Sequence, residues 1–366
     1  MRILIIADKL TGGAGNVAQQ LASCFSQIED NVVFLLIEVS TKPKYDLSRV
    51  NIIDRKIKPI KLNNPIKKIK RYIKNSKKQR EVINGCSADV IISFLNSISP
   101  EVLFSQWSTK TPIIVSERSN PYFEWEKKDW LFRLKWWLSY RRANMIVYQF
   151  KCFESFFLFA YKKNKTQAIP NMIFDSAASP GHKDRKCPIK FASVSTLYPV
   201  KRISLMINII AELRKKQLDI ELNIYGDGPD REQLESQVKS MRLQDSIHFH
   251  GHVADVNSSI SQNDILLMTS EREGFPNVII EAMNVGVPTV TFNYHDGIGE
   301  IISDGINGVL IEQDNVKAYI DKLEFLVKNP HIITNMGENG LAMCKKYNKE
   351  NVIQLWKDCI ESVIHQ

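Results

Sequence analysis

The chain lacks the features that would carry it through a membrane or into an oxidising compartment. Six cysteines (Cys24, Cys86, Cys152, Cys187, Cys344 and Cys359) include no Cys-x-x-Cys pair, and no His-x3-His partner lies nearby. That argues against a zinc module or a disulfide framework and favours a reducing cytosol. No apolar run approaches the roughly 18–20 residues that span a bilayer. The apolar opening Met1–Ala7 is ended by Asp8 and Lys9, too early for an export segment. Glycine and proline are ordinary at 16 and 14, which excludes a collagenous or low-complexity chain. The expectation is a cytoplasmic protein, soluble or peripheral on the inner face of the cytoplasmic membrane. One run, His248-x-His250-x-His252, reads either as a metal cluster or as a strand carrying its histidines on one face before a turn at Gly251.

Acidic residues are missing from one stretch. Residues 55–80 hold twelve Lys/Arg and no Asp or Glu, more than the whole formal net charge of +9, so the remainder is mildly acidic. From Pro65 on, Ile66, Ile69, Tyr72 and Ile73 recur at helical spacing. Lys67, Lys68, Lys70, Arg71, Lys74, Lys77 and Lys78 fill the other faces. This basic amphipathic helix suits an anionic membrane surface; the alternatives are a solvated helix face or nucleic acid. No nucleic-acid motif accompanies it. A second stretch mixes Phe123, Trp125, Trp130, Phe132, Trp136 and Trp137 with Lys127, Lys128, Arg133 and Lys135. Phe153, Phe156, Phe157, Phe159 and Tyr161 follow. Such residues fit a water–lipid interface or the packing of two helices.

At 366 residues, 44% of them hydrophobic, the chain exceeds the ~250–300 residues at which single cores stop growing, so two domains are expected. Short apolar runs alternate with helical patterns. Ile3–Ala7, Val32–Ile37, Val90–Phe94, Ile113–Ser116 and Met145–Tyr148 read as buried parallel strands, with helices such as Ala14–Ser26 and Pro100–Trp107 between them. Residues 171–188 read as a linker. Alternation resumes with strands at Ile189–Ser195, Ile220–Tyr225, Asp264–Met268 and Thr289–Phe292. Helices are expected at Val200–Lys215, Arg231–Met241, Pro276–Val285, Val316–Val327 and Lys349–Ile364. The fold class is α/β: two parallel-sheet domains, 1–170 and 189–348, expected to face each other across a deep cleft. Ligands in such sheets bind at the carboxyl ends of strands.

Several motifs fall at such ends. The first strand runs into Thr11-Gly12-Gly13-Ala14-Gly15 and a helix, where small residues let amides approach an anion, or simply make a tight turn. Glu273-Gly274-Phe275-Pro276-Asn277 leads to Glu281, placing two carboxylates eight residues apart. One stands before a helix and one about two turns into it. One can hold a ribose diol while the other meets a sugar, and the helix start suits a diphosphate. Ser195–Arg202 and Tyr225-Gly226-Asp227-Gly228-Pro229 follow two other strands. Lys201, expected at a helix start, offers a point charge to an anionic leaving group.

These residues resemble the large retaining glycosyltransferase family 4 of GT-B fold, over nearly the whole chain and most specifically from Phe191 to Leu310. Glu273 and Glu281 match its Glu-x7-Glu motif, Lys201 its phosphate-binding lysine, Gly226–Pro229 its Gly-Asp-Gly-Pro turn, and Pro170-Asn171 its hinge. The resemblance implies a nucleotide-sugar co-substrate, a UDP-sugar first, held by Gly13, Gly15, Lys201, Arg202, Gly226, Gly274, Phe275, Pro276, Asn277 and Glu281. Glu273 and Lys201 would be catalytic, with no bound metal or other cofactor and with retention at the anomeric carbon. It also implies that the closing helix, 349–366, crosses back to the first domain. Thr196 departs from an arginine common in the family; Arg202 is the candidate substitute. Ser116–Pro121 resembles a bacterial subgroup acting on lipid-linked oligosaccharides and surface polysaccharides, which makes Glu117, Arg118 and Asn120 acceptor-side candidates unless this is a structural loop. The partners implied are a nucleotide sugar and a lipid-linked or glycan acceptor. Two rivals remain: a nucleotide-sugar epimerase of the same fold, and a non-catalytic binding protein.

Overall fold

The computed structural model describes residues 1–10, 12–38, 42–54, 65–126, 128–158, 165–174 and 188–365. The chain forms two compact units, Met1–Met172 with Glu350–Gln366, and Ile173–Lys349.

The first unit is built on a parallel sheet of seven strands: β1 (Arg2–Lys9), β2 (Val32–Glu38), β3 (Val50–Asp54), β4 (Val90–Phe94), β5 (Ile113–Ser116), β6 (Met145–Tyr148) and β7 (Thr166–Ala168). Their order is β3-β2-β1-β4-β5-β6-β7. Ile3 to Ile6 of β1 are all fully buried, because helices cover both faces of the sheet and leave no side for polar alternation. Ile3 pairs with Val33 on one side and Val90 on the other. The closing helix Lys349–Ile364 buries Val352, Trp356, Ile360 and Val363, a stripe at helical spacing. Trp356 packs 6.5 Å from Phe94 of β4, ring to ring.

The second unit holds a parallel sheet of six strands: β8 (Ile189–Val194), β9 (Ile220–Tyr225), β10 (Ile247–Gly251), β11 (Ile265–Met268), β12 (Thr289–Asn293) and β13 (Gly308–Glu312). The order is β10-β9-β8-β11-β12-β13. Phe191, Ile207, Leu222, Leu267, Phe292 and Tyr319 lie at its core. The Tyr319 hydroxyl donates to the carbonyls of Val290 (2.7 Å) and Met268 (3.2 Å), tying the helix Val316–Lys328 to β12 and β11.

Among the elements that go beyond the sequence reading are β3, β7, β13, the short helix Val256–Ser261 and the helix Pro330–Cys344. β3 is an edge strand with three of its five residues exposed, β7 has three residues, and the helix Pro330–Cys344 carries glycines 337 and 340 in its interior, which lower its propensity. His250, in β10, stacks on Tyr225 and sits 2.7 Å from the Asn223 side-chain oxygen, as a strand residue with a neighbour on the next strand. The basic segment 55–64, the linker residues 175–187, Lys127, Phe159 and Tyr161 lie outside the described residues.

Candidate active site in the second unit

In both sheets the order reverses direction beside the first strand, between β1 and β4 and between β8 and β11. Chains leaving adjacent strands at such a point diverge to opposite faces and open a crevice at the carboxyl edge. In the second unit, the loops that leave β8 and β11 carry Lys201 and Glu273.

Hydrogen bonds lace these two loops together. After β8 the chain turns through a single 3-10 turn, Pro199–Lys201. Arg202 then adopts the left-handed conformation (φ 54°) before the helix Ile203–Lys215. Lys201 therefore ends a turn instead of starting the helix. A non-glycine residue at positive φ needs support from its surroundings. Thr269, just past β11, supplies it: its hydroxyl lies 3.0 Å from the carbonyl oxygens of both Lys201 and Arg202. The Glu271 amide donates to the Val200 carbonyl at 2.9 Å.

On this frame Lys201 Nζ donates to Glu273 Oε1 at 2.6 Å, and Ser270 Oγ donates to the same oxygen at 2.7 Å. Both charged side chains are partly buried, so their attraction is less screened than on an open surface. Arg202 points elsewhere: its guanidinium pairs with Asp314, beyond β13, and lies over the Phe292 ring. Thr196 is exposed in the same loop as Lys201.

Gly226 closes the neighbouring side. Its φ is 131°, and a Cβ there would lie 1.9 Å from the Ser195 carbonyl oxygen, so only glycine lets the turn after β9 lie against the loop after β8. Gly274, Phe275 and Pro276 lead from Glu273 into the helix Asn277–Asn284. Pro276, at its N-cap, offers no side-chain cap, and the helix start presents the positive end of its dipole. Phe275 is buried and meets Tyr347 edge-on. Glu281 is the fifth residue of this helix, in its second turn, nearer the start than the spacing suggested.

Two residues here were given no role from the sequence, Ser195 having been named only as the start of the Ser195–Arg202 run. The Tyr294 hydroxyl and the Ser195 hydroxyl are buried oxygens with no hydrogen-bond partner among the described residues. Burial, and next the negative charge of Glu273, raise the Tyr294 pKa, so its hydroxyl stays protonated and able to donate. Their signal was positional: Ser195 directly follows β8, and Tyr294 directly follows β12.

The remaining candidates lie in the first unit. Gly13 is exposed at the start of the helix Gly12–Ser26, whereas Gly15 is buried, where a Cβ would lie 2.1 Å from the Lys9 carbonyl oxygen. Glu117, Arg118 and Asn120 follow the carboxyl end of β5, and all three are buried. Glu117 accepts a hydrogen bond from the Tyr140 hydroxyl. Burial is the largest influence on it and raises its pKa to about 7. Arg118 donates to Ser116 Oγ (2.7 Å), Asn171 Oδ1 (3.0 Å) and the Ile169 carbonyl (3.1 Å), and its guanidinium lies near the rings of Phe94 and Trp356. Asn120 Oδ1 accepts from the Tyr122 amide at 3.0 Å and so starts the helix Pro121–Glu126.

Residues 177–343 match the family model for glycosyl transferases group 1. An uncharacterized glycosyltransferase of Haemophilus influenzae is 26% identical over 355 residues, covering 94% of this chain and 95% of that one. A second relative is the GalNAc-alpha-(1->4)-GalNAc-alpha-(1->3)-diNAcBac-PP-undecaprenol alpha-1,4-N-acetyl-D-galactosaminyltransferase of Campylobacter jejuni. It is 25% identical over 285 residues, or 78% of this chain and 77% of that one. In architecture the chain is similar to HepE of Anabaena in complex with UDP, at a TM-score of 0.74 and 16% identity over 99% of this chain and 100% of that one. The chain has the GT-B fold, its second unit matches the glycosyl transferases group 1 model, and these likenesses together make it a transferase enzyme.

Proposed function

We propose that the chain moves a hexose or N-acetylhexosamine from a nucleoside diphosphate sugar, a UDP-sugar first among them, to a polyprenyl-diphosphate-linked oligosaccharide or another surface-polysaccharide precursor. The transfer retains the anomeric configuration. The observation that carries this reading is the Lys201–Glu273 pair at the switch point of the second sheet.

Breaking the bond between sugar and diphosphate places negative charge on the leaving oxygens and positive character on the sugar ring. Lys201 answers the first, together with the start of the helix Asn277–Asn284. These are fixed positive groups, so in this reading the leaving diphosphate needs no bound metal. An arriving diphosphate competes with Glu273 for the ammonium, and Glu273 turns to the donor sugar. Glu281 holds the ribose, Gly226 admits the nucleotide close to the backbone, and the Tyr294 hydroxyl offers the sugar a further donor. Arg202 serves indirectly, by holding the Lys201 loop to Asp314. In this reading Gly13 and Gly15 are further candidates for the nucleotide sugar, and Glu117, Arg118 and Asn120 are candidates for the acceptor.

The Campylobacter jejuni relative, whose name specifies an undecaprenol-linked acceptor, supports the choice of a lipid-linked substrate. The UDP complex of the Anabaena protein supports the choice of nucleotide. The basic segment 55–80 then serves to hold the enzyme on the anionic inner face of the cytoplasmic membrane.

Calorimetric titration with UDP tests the site. Lys201→Ala removes a charge-assisted contact and is expected to weaken binding about ten- to a hundredfold. Unchanged affinity in a folded variant would remove Lys201 from the diphosphate site.

A further inference from the structure

The helix Trp130–Tyr140 is inverted relative to an ordinary surface helix. At about 100° per residue, Trp130, Leu134, Leu138 and Leu131 fall within one arc of about 100°. All four are exposed, at 69%, 45%, 44% and 58% respectively. The opposite side carries Trp136, 4% exposed, packed against Trp125 and Phe156. The helix therefore satisfies the core with one apolar face and turns a second one outward. Single exposed leucines are commonplace, but an unbroken outward stripe marks a docking surface.

Its surroundings indicate what it docks to. Of the cations on or just past this helix, Arg141 is exposed, Lys135 is part-buried near Glu101, and Arg133 and Arg142 donate to backbone carbonyls; Asp129 caps the helix start. The Arg141 guanidinium lies 3.7 Å from the centroid of the Trp137 ring, an arrangement that keeps cation and aromatic side by side. The helix Ser99–Ser105 packs on both Trp130–Tyr140 and Pro65–Gly85. It adds exposed Phe104, with Trp107 just beyond, while Pro65–Gly85 adds exposed Lys74, Lys77, Lys78 and Arg80. An apolar stripe rimmed by tryptophan and cations complements a surface that is apolar within and negative at its rim. Among the described residues no helix is long and apolar enough to cross a membrane, so the stripe would lie in the interface plane.

We infer that Trp130, Leu131, Leu134 and Leu138 insert into the acyl boundary of an anionic bilayer, with the cations of Pro65–Gly85 held at its headgroups. The inference rests on the reading of the enzyme as peripheral at a membrane, and adds an apolar anchor to the basic segment.

The test is sedimentation of the full-length chain with vesicles of phosphatidylglycerol and phosphatidylcholine, paired with quenching of tryptophan fluorescence by brominated lipid. Leu134→Gln with Leu138→Gln leaves the charge unchanged. It is expected to weaken vesicle binding at least about tenfold at both low and high salt and to reduce quenching. Lys77→Gln with Lys78→Gln is expected to weaken binding only at low salt. If the unaltered chain ignores anionic vesicles, the membrane reading fails and the anchor with it. If it binds and the leucine variant binds equally well, the anchor alone is overturned. If the chain dimerises in solution and the leucine variant is monomeric, a second copy covers the stripe and the anchor is likewise overturned.

Discussion

Glu117 shows how a residue read as an acceptor contact from the sequence acquires a second character once its burial is known. Its carboxyl is buried against Tyr140, and burial raises its pKa from the ordinary 4.5 to about 7. In the unfolded chain it ionises near 4.5. Between these values the folded state keeps a proton that the unfolded state has lost. Stability from this group is therefore fully present below 4.5, falls as pH rises, and is lost by about 7, a change on the order of 3 kcal/mol. Glu117→Gln keeps an acceptor for Tyr140 but does not titrate. Urea unfolding of both proteins from pH 4.5 to 7.5 should show the variant gaining on the original by that amount; a difference independent of pH would contradict the assignment. Lys201 and Glu273 were legible as individuals, because spacing places them after strands. Their mutual bond was not, since the strand order that makes the β8 and β11 loops neighbours is a property of the whole sheet. Tyr294 carried no motif, Ser195 only opened the Ser195–Arg202 run, and their buried, unpaired hydroxyls are what drew them into the candidate site.

Among elements, those with strong apolar periodicity were legible and those without it were not. The strands of four to six buried residues and the helix Ile203–Lys215 follow directly from pattern. β3 lies at a sheet edge, where exposed residues dilute the signal, and β13 begins at the second glycine of a Gly-Ile-Asn-Gly turn that hid its five residues. The aromatic stretch divided: Phe153, Phe156, Phe157 and Trp136 went to the core, Trp130 and its leucines to the surface. The closing helix was expected to return to the first unit, and residues 350–366 do belong there. Trp356 anchors it, fully buried beside Phe94, with the Arg118 guanidinium 5.5 Å from its ring centroid. Trp356→Ala should cost about 3–5 kcal/mol through the cavity and lost packing. Hydrogen exchange would report this as faster exchange of β4 and β5 amides; unchanged exchange there would mean that the helix contributes nothing to the first unit's core.

For the molecule as a whole, two sheets each reverse order beside their first strand, and each places its candidate residues at the carboxyl edge. That much follows from alternation of strand and helix and from the right-handed crossover rule. Charge is distributed unevenly along the chain: twelve cations crowd residues 55–80, while the chemistry proposed for the second unit rests on Lys201 and two glutamates. The central claim is that the Lys201–Glu273 site drives sugar transfer from a nucleotide donor. Its most direct test is incorporation of labelled sugar, from a panel of UDP- and GDP-sugars, into polyprenyl-diphosphate oligosaccharides in a membrane lipid extract. The account predicts incorporation from one donor by the unaltered chain and a loss of at least about a hundredfold in folded Glu273→Gln. Undiminished transfer by that variant would contradict it.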